Sequence, residues 1–475
     1  MRVNALDLCG SRETSVFTKA PGGEHVLIKP LIDPVRNFLT SRGWVAATVQ
    51  TVLANVLIMG INVGTGMITA HVLGPSGRGE QAAIQLWPQL LAYVLTLGLP
   101  SALLYNLKRY QDRAPQLFSA ALLLGALMGL FATLIGILLI PYWLTEYSPQ
   151  VVRYAQWVML VTPAALLGLL FATVLQAREE FALFNAARYL QPLLILLTLA
   201  LLAVTHRLTP FSAALSYLLA GSPVFLWLFV RLWRLYRPRW YNLRSASKNL
   251  LSYGLRSYGM DLLATMTSQT DRVLLVGLFN PTLMGLYVVA MNLARLTTGV
   301  FYSAVVSTLF PKTTGLPVDQ VAILTGRVAR VTTVAVFPIA IGLAFFGPWI
   351  LGFFYGREFV DAVTVFRLLI LEGALAGTAL VLAQAFMAVG KPGIATIDQM
   401  IGFGLSLPLL LLLVPRHGLA GAGIALLIST TSRLIFVIAS FPYILKVRPP
   451  RLWPTRTDFE TIIELVFRAK GGGSE

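Results

Sequence analysis

The 475-residue chain is 56% hydrophobic and only 12% charged, with a mean hydropathy of +0.74. Soluble domains carry roughly 25% charged residues, so this composition excludes a soluble globular protein and indicates an integral membrane protein. The formal net charge of +17 would suit a nucleic-acid partner, but the placement of the basic residues along the chain indicates membrane topology instead.

Twelve apolar runs are long enough to cross a membrane as helices, because about 20 residues span the hydrocarbon core. They lie near residues 44–70, 81–107, 116–144, 151–175, 186–205, 211–233, 250–279, 285–309, 328–355, 363–389, 394–414 and 418–445. The ten-residue alternation of a membrane β-barrel is absent from the sequence. We therefore predict an all-α integral membrane protein with about 12 transmembrane helices in two pseudo-symmetric six-helix lobes.

Basic residues favour one side of the predicted membrane. If the N-terminus is cytoplasmic, 27 Lys and Arg residues lie in cytoplasmic segments and 5 lie in the opposite segments, among them Arg78 in the first outer loop. This positive-inside pattern predicts that both termini are cytoplasmic. It also assigns the basic charge to topology and to contact with anionic membrane lipids, so we expect no nucleic-acid partner.

The runs divide the chain into five predicted regions. These are a cytoplasmic N-terminal segment at 1–43, a first lobe at 44–233, a basic connector at 234–249, a second lobe at 250–445 and a cytoplasmic tail at 446–475. In the tail, Thr457 and Glu460 form a capping box that predicts a short amphipathic helix. That helix would lie on the membrane surface or pack against the helix bundle.

The two halves repeat each other at a fixed offset of 206 residues. The offset relates Thr51, Asn55 and Asn62 to Ser257, Asp261 and Ser268, and it continues through Pro75 and Pro281, Gly79 and Gly285, and Gln89 and Arg295. A doubled unit with a polar face inside lipid is typical of secondary transporters. Because each half has six predicted helices, the repeats share one orientation and are related by an axis along the membrane normal.

The centres of the first six predicted helices contain no Lys, Arg, Asp or Glu. The runs of the second half contain Arg256, Asp261, Asp271, Arg272, Arg295, Arg367, Glu372 and Arg433. Each buried charge costs on the order of 3 kcal/mol even on lenient insertion scales, so such residues indicate a use or a partner. Arginines outnumber carboxylates, which favours an anionic guest in a wet cavity; phosphate suits the planar guanidinium fork.

These patterns name candidate site residues. We predict that Arg272 and Arg295 bind a diphosphate and that Asn55, Asn62, Ser268 and Gln89 contribute to the same cavity. Asp261 is the candidate for proton or sodium coupling, or a counter-ion for an arginine. Pro75, Gly79, Asp271, Pro281 and Gly285 are predicted structural positions near the loops. The competing interpretation is that the polar stripes only hold helices together.

Other chemistry finds little support in the sequence. Cys9 is the only cysteine and the four histidines, His25, His71, His206 and His417, are scattered, so we expect no metal site. No GxxxxGK[ST] phosphate loop and no nucleophile–histidine motif is legible. We expect neither a cofactor nor enzymatic activity.

Three stretches resemble the polysaccharide flippase family of the multidrug/oligosaccharidyl-lipid/polysaccharide exporter superfamily. They are Thr65–Met67 with Leu73–Glu80, Asp271–Gly277 with Gly285–Tyr287, and Met387–Pro392. The resemblance covers roughly residues 44–445. It implies a flippase for polyprenyl-diphosphate-linked oligosaccharides in a bacterial inner membrane, with two lobes that rock between inward-open and outward-open states and with partner polymerases and glycosyltransferases. The loop glycines, Pro75 and Asp271 carry over as structural residues.

Two other functions remain open on the sequence alone. A cation-coupled multidrug exporter of the same fold would need a cavity dominated by acidic residues. A membrane polysaccharide polymerase or glycosyltransferase would be expected to present a large outer loop, whereas the longest predicted one lies near 140–153. A pure scaffold is disfavoured by the buried charges.

Overall fold

The computed structural model describes the backbone of residues 44–313 and 315–452. Within that range, the surroundings of the side chains of 44–56, 260, 261, 264, 296–301, 303, 304, 306–308 and 310–312 are not described. The predicted N-terminal segment, the tail helix at Thr457 and Glu460, and the side chains of Asn55 and Asp261 therefore lie outside the described residues. Contacts along the chain separate Met1–Thr48 from Val49–Glu475, and the packed helix bundle belongs to the second of these units.

The described regular structure is helical, as the sequence predicts. The α-helices are α1 (Trp44–Val94), α2 (Leu99–Arg109), α3 (Ala114–Trp143), α4 (Pro149–Val158), α5 (Thr162–Ala177), α6 (Phe181–Val204), α7 (Pro210–Leu219), α8 (Ser222–Tyr236), α9 (Leu243–Leu278), α10 (Pro281–Thr313), α11 (Val318–Phe345), α12 (Gly347–Phe354), α13 (Val363–Ala388) and α14 (Gly393–Ser440). We call α1–α8 the first half and α9–α14 the second half.

Two of these helices are interrupted by glycine turns. A straight helix of the 51 residues of α1 would be about 77 Å long, more than twice the hydrocarbon thickness of about 30 Å. Gly74 breaks α1 with φ 62° and ψ −176°, and Gly418 breaks α14 with φ 55° and ψ −130°. A Cβ on Gly421 would lie 2.2 Å from the carbonyl oxygen of Leu413, which shows that the chain folds back there.

The helices are those of a multi-pass membrane protein. Among the described residues, eight helical segments are long and apolar enough to cross a membrane, and two of them contain the turns at Gly74 and Gly418. The segments do not include α9 and α10, which carry Asp271, Arg272 and Arg295. The number of twelve spans, the lobe boundaries and the cytoplasmic termini stay predictions.

The 206-residue repeat appears in the structure as a reciprocal backbone contact. A Cβ on Gly79 would lie 1.7 Å from the carbonyl oxygen of Pro281, and a Cβ on Gly285 would lie 1.9 Å from that of Pro75. Gly79 thus packs against the first residue of α10, and Gly285 packs against Pro75, which begins the stretch of α1 after the Gly74 turn. Only a hydrogen atom fits at either position.

The first contact, at Pro281, lies just after the C-terminal end of α9. A second close approach to the first half lies near the N-terminal end of α9. A Cβ on Gly98 would lie 2.2 Å from the carbonyl oxygen of Gly254, and the rings of Tyr105 and Tyr253 stack with centroids 4.4 Å apart. The two halves therefore meet at both ends of α9, which encloses the space between them.

We expect Gly79→Ala and Gly285→Ala each to destabilise the protein by on the order of 1–3 kcal/mol, because the added methyl group forces the packed backbones apart. The measurement is denaturant unfolding in mixed micelles. Gly404→Ala is the matched control, since nothing lies within 4 Å of a Cβ at that position. Equal unfolding curves for Gly285→Ala and Gly404→Ala would contradict the contact.

Candidate functional site

A polar chamber of about 490 Å³ lies between α1, α9 and α10. Its walls include polar or charged residues from both halves and apolar residues between them: Asn62, Thr65, Gly66, Arg78, Ala82, Gln85, Leu86, Gln89, Leu90, Tyr93, Tyr217, Gln269, Arg272, Met284, Val288, Val289, Asn292, Arg295 and Tyr355. The volume falls in the range of about 300–1,000 Å³ that is typical of ligand sites.

The chamber is built by the sequence repeat. Five pairs of lining residues are related by the offset of 206: Gly66 and Arg272, Arg78 and Met284, Ala82 and Val288, Leu86 and Asn292, and Gln89 and Arg295. Corresponding faces of α1 and of α9–α10 therefore look into one space. The pairs differ in chemistry, however, so the chamber is symmetric in its backbone and asymmetric in its charge.

Arg272 lies in the wall with an uncompensated donor. Its Nε is buried and has no hydrogen-bond partner among the described residues. Arg78 and Arg295 line the same chamber as Arg272, and the carboxylate of Asp271 offsets part of the repulsion between Arg272 and Arg295. Three guanidinium groups around one cavity repel each other, and an anion between them would relieve that repulsion and accept their hydrogen bonds.

Arg295 faces the chamber and is held by a buried carboxylate. Its Nη2 donates to Oδ2 of Asp271 over 3.1 Å, while the side chain of Arg295 remains 51% exposed and that of Asp271 is 4% exposed. The hydroxyl of Tyr287 donates to the same oxygen over 2.9 Å. Asp271, predicted as a structural residue near the loop, therefore positions Arg295 from behind the chamber wall.

Arg78 is a chamber residue that the sequence analysis assigns to an outer loop. It is only 4% exposed, its Nη1 donates to Oε1 of Gln81 over 2.6 Å, and its guanidinium carbon lies 6.0 Å from the ring centre of Tyr217. The reason is the tightness of the turn at Gly74, after which Pro75 already begins the next helical stretch. Proline favours the first turn of a helix, which is the signal that would place Arg78 in a span.

Some of the remaining predicted residues line the chamber and others do not. Asn62 and Gln89 line the chamber. Ser268 does not line it; its side chain is exposed and its hydroxyl donates to the carbonyl oxygen of Thr265 over 3.0 Å. Its neighbour Gln269 lines the chamber instead, together with Arg272 one turn later on the same helix. Asn55 and Asp261 are outside the described side chains.

A second, smaller polar cavity of about 90 Å³ lies behind Arg295 in the second half. Arg295 and Asp271 line it from one side, and Glu372, Thr430 and Arg433 line it from the other. The hydroxyl of Thr430 donates to Oε1 of Glu372 over 2.7 Å. Arg295 is therefore shared by the chamber and by this cavity.

Arg433 is neutralised by Asp398. Nη2 of Arg433 donates to Oδ2 of Asp398 over 2.7 Å, and Nε lies 3.3 Å from both carboxylate oxygens. Sequence reasoning misses Asp398, although it lies in the predicted run at 394–414. Its partner is 35 residues away on the other side of the Gly418 turn, so helical spacing alone could not reveal the pair.

Comparison with protein families identifies a matching family model. The model described as polysaccharide biosynthesis protein matches residues 68–364. The chain is also 28% identical over 162 residues to the probable low-salt glycan biosynthesis flippase Agl15 of Haloferax volcanii, an alignment that spans 33% of this chain and 34% of that protein.

Three solved structures share the fold. The lipid II flippase MurJ in an inward closed conformation has a TM-score of 0.71 at 14% identity, covering 91% of this chain and 94% of MurJ. An inward-facing multidrug resistance MATE family transporter of the MOP superfamily has a TM-score of 0.67 at 14% identity, covering 84% and 99%. A MOP superfamily transporter from Pyrococcus furiosus, described as having a binding pocket of reverse polarity, has a TM-score of 0.53 at 14% identity, covering 86% and 98%. At such identities these likenesses show the fold alone.

We expect Asp398→Ala to destabilise the protein by about 3–5 kcal/mol, because Arg433 would be left buried without its counter-charge. Replacing both residues, as Asp398→Ala with Arg433→Met, should recover much of that loss, because no unpaired charge is then left inside the helices. The exposed pair Lys108–Glu179, with side chains 51% and 67% exposed, is the control, and Glu179→Ala should cost about 1 kcal/mol or less. A double-mutant cycle on unfolding in mixed micelles measures both; no recovery in the double variant contradicts the pairing.

Proposed function

We propose, since this chain belongs to the polysaccharide biosynthesis protein family, that it is a flippase carrying a polyprenyl-diphosphate-linked oligosaccharide across a bacterial inner membrane by alternating access. One observation carries the proposal: Arg78, Arg272 and Arg295 line a single chamber between the two halves. The flippase names of Agl15 and MurJ agree with this function, and they describe those proteins.

The chemistry of the chamber supports a diphosphate guest. Guanidinium groups bind phosphate oxygens through paired, charge-assisted hydrogen bonds. Free donors are available at Arg272 and at Nε of Arg78, which is also buried without a partner among the described residues. Amide side chains at Asn62, Gln89 and Gln269 can bond sugar hydroxyls in place of water. The chamber thus replaces the hydration that a polar head group loses at membrane depth.

The same lining argues against the multidrug exporter. The charged residues that the structure places in the chamber wall are arginines, and Asp271 is turned toward Arg295 and Tyr287. A cationic drug would meet repulsion. The proposal also favours a transporter over a polymerase or glycosyltransferase, because translocation needs binding and a change of shape but no group that attacks a sugar. Glycosyltransferases and a polymerase would then act before and after this protein.

Alternating access would use the two glycine contacts as gates. The pair Gly79–Gly285 would close the predicted outer side and the pair Gly98–Gly254 the cytoplasmic side. Both glycine contacts are backbone against backbone, and at the Gly98–Gly254 end the stacked rings of Tyr105 and Tyr253 would separate as well. The chamber lies between them and would open to one side at a time.

Two carboxylates are candidates for coupling transport to a proton gradient. Asp261 is the candidate from the sequence, and Glu372 is the candidate from the structure. The second-half cavity and its ion pairs hold two arginines, Arg295 and Arg433, and three carboxylates; Asp271 and Asp398 pair with the arginines. Glu372 is left with the hydroxyl of Thr430 while Arg295, Asp271 and Arg433 act on it electrostatically. A proton on Glu372 would neutralise the third carboxylate and weaken the attraction between Glu372 and Arg295. Arg295, which faces the chamber, would then be held less strongly from behind.

We expect Arg272→Gln and Arg295→Gln each to lower transport of a polyprenyl-diphosphate oligosaccharide by about 10- to 100-fold, because a hydrogen bond to a charged group contributes about 1.5–3 kcal/mol. The assay is translocation in proteoliposomes at matched protein levels. Arg367→Gln is the control: Arg367 is exposed and donates to the carbonyl oxygen of Ala344 over 2.9 Å. Full activity of both chamber variants would refute the assignment.

We expect Glu372→Gln to remove the response of transport to an imposed proton gradient, because glutamine cannot exchange a proton. Binding of inorganic diphosphate should persist, since the arginines remain. Initial rates in proteoliposomes with and without a pH difference measure the response. Asp261→Asn is measured in parallel; if it alone abolishes the response, the coupling carboxylate is Asp261.

A further inference from the structure

A second large cavity, of about 820 Å³, is lined mainly by the first half, by residues of α1, α2, α5, α6, α7 and α8, and Thr265 of α9 also lines it. We call it the apolar cavity. Its deep wall is formed by fully or nearly fully buried hydrocarbon side chains, which are Phe171, Leu175, Val224 and Leu228. Thr173 also lines it, but its hydroxyl is already bonded to the carbonyl oxygen of Leu169 over 2.9 Å. The deep wall thus offers few hydrogen bonds to a ligand.

The apolar cavity adjoins the chamber. Gln89, Tyr93 and Tyr217 line both spaces. Hydrocarbon surroundings therefore begin next to the chamber, on the far side of these three residues. The site as a whole has one charged compartment and one apolar compartment, which is the shape of an amphiphile's binding site.

The apolar cavity also reaches the surface of the helix bundle. Leu219 lines it and is 43% exposed. Arg188 and Gln191 line it from α6 and are exposed as well, so these polar residues belong to its rim. The helix α6 is loosely packed: of its 24 residues, the buried ones are Asn185, Ile195 and Leu199. A chain longer than the cavity could therefore leave beside α6 into the bilayer.

We propose that the apolar cavity binds the isoprenoid units adjacent to the diphosphate of the substrate, a subsite that rests on the proposed function. A sugar in the same place would lose its hydration against Phe171, Val224 and Leu228 without compensation, whereas a branched hydrocarbon loses nothing there. The protein would then hold the first isoprenoid units of the lipid as well as its head group. The rest of the tail would continue into the membrane.

Gly168 supplies a way to fill this cavity. It lines the cavity, and a Cβ at Gly168 would have as its nearest neighbour Cδ2 of Phe225, at 4.0 Å. The Cβ of Gly168→Phe therefore fits without a clash, and we expect its ring to occupy part of the cavity. Ala172→Phe, at another lining position, is a second variant should the first fold poorly. Gly404→Phe, at an open position on α14, is the matched control.

The test uses the full chain in nanodiscs and farnesyl diphosphate with a diazirine on its last isoprene unit. Irradiation should attach the probe to α5 and α8, at and around Phe171 and Phe225, as mapped by peptide mass spectrometry. Gly168→Phe should reduce that attachment about tenfold or more, because a filled, close-packed space excludes the ligand. Binding of inorganic diphosphate should stay unchanged in Gly168→Phe, and Gly404→Phe should behave as the parent protein.

The outcomes separate this inference from the proposed function. Attachment to lipid-facing side chains of other helices, or attachment that Gly168→Phe and Ala172→Phe leave intact, overturns the isoprenoid subsite while the arginines can still bind diphosphate. If inorganic diphosphate binding is the same in Arg272→Gln as in the parent protein, the diphosphate site fails and the subsite falls with it.

Discussion

A charged side chain at the depth of a lipid bilayer persists only where a partner or a wet cavity compensates for its lost hydration. The second half of this chain meets that constraint in two ways. Arg433 is paired with Asp398 inside the helices, and Arg295 is paired with Asp271 while still facing a cavity. Arg272 is the exception, because its Nε is buried with no partner among the described residues. The chamber is therefore where Arg272 and Arg295 can reach water or an anionic ligand.

The internal repeat explains how the chamber is formed and also why it is suited to one class of guest. Repeated backbones place equivalent positions on facing walls, and the reciprocal contacts of Gly79 and Gly285 hold those walls at their shared end. Side chains at the equivalent positions have diverged, so that Gly66 corresponds to Arg272 and Gln89 corresponds to Arg295. The repeated backbone encloses the chamber, and the divergence of side chains at equivalent positions gives it its positive charge.

Arg295 lies between the two sites on which the proposed transport cycle depends. It lines the chamber on one side and the small cavity of Glu372 on the other. A change of charge at Glu372 would alter the electrostatic hold on Arg295 without any long-range relay. The apolar cavity lies next to the chamber, with Gln89, Tyr93 and Tyr217 in both walls, and it offers hydrocarbon surroundings that the arginines cannot.

Hydropathy, residue spacing and the cost of a buried charge are local properties, so the amino-acid sequence was enough to predict the membrane class, the helical fold and the 206-residue repeat. The same properties pointed to Arg272, Arg295, Asn62 and Gln89 as residues of a common cavity, although they also pointed to Ser268, which does not line the chamber. The pairing of charges became visible only in the folded chain, since Asp271 and Arg295, or Asp398 and Arg433, are 24 and 35 residues apart and meet only when helices pack. Arg78 was expected in a loop and lies in the chamber wall. The reason is the tight turn at Gly74, whose length depends on backbone geometry and was not evident from the sequence. The apolar cavity had no sequence signal, since its lining residues look the same as those that face lipid.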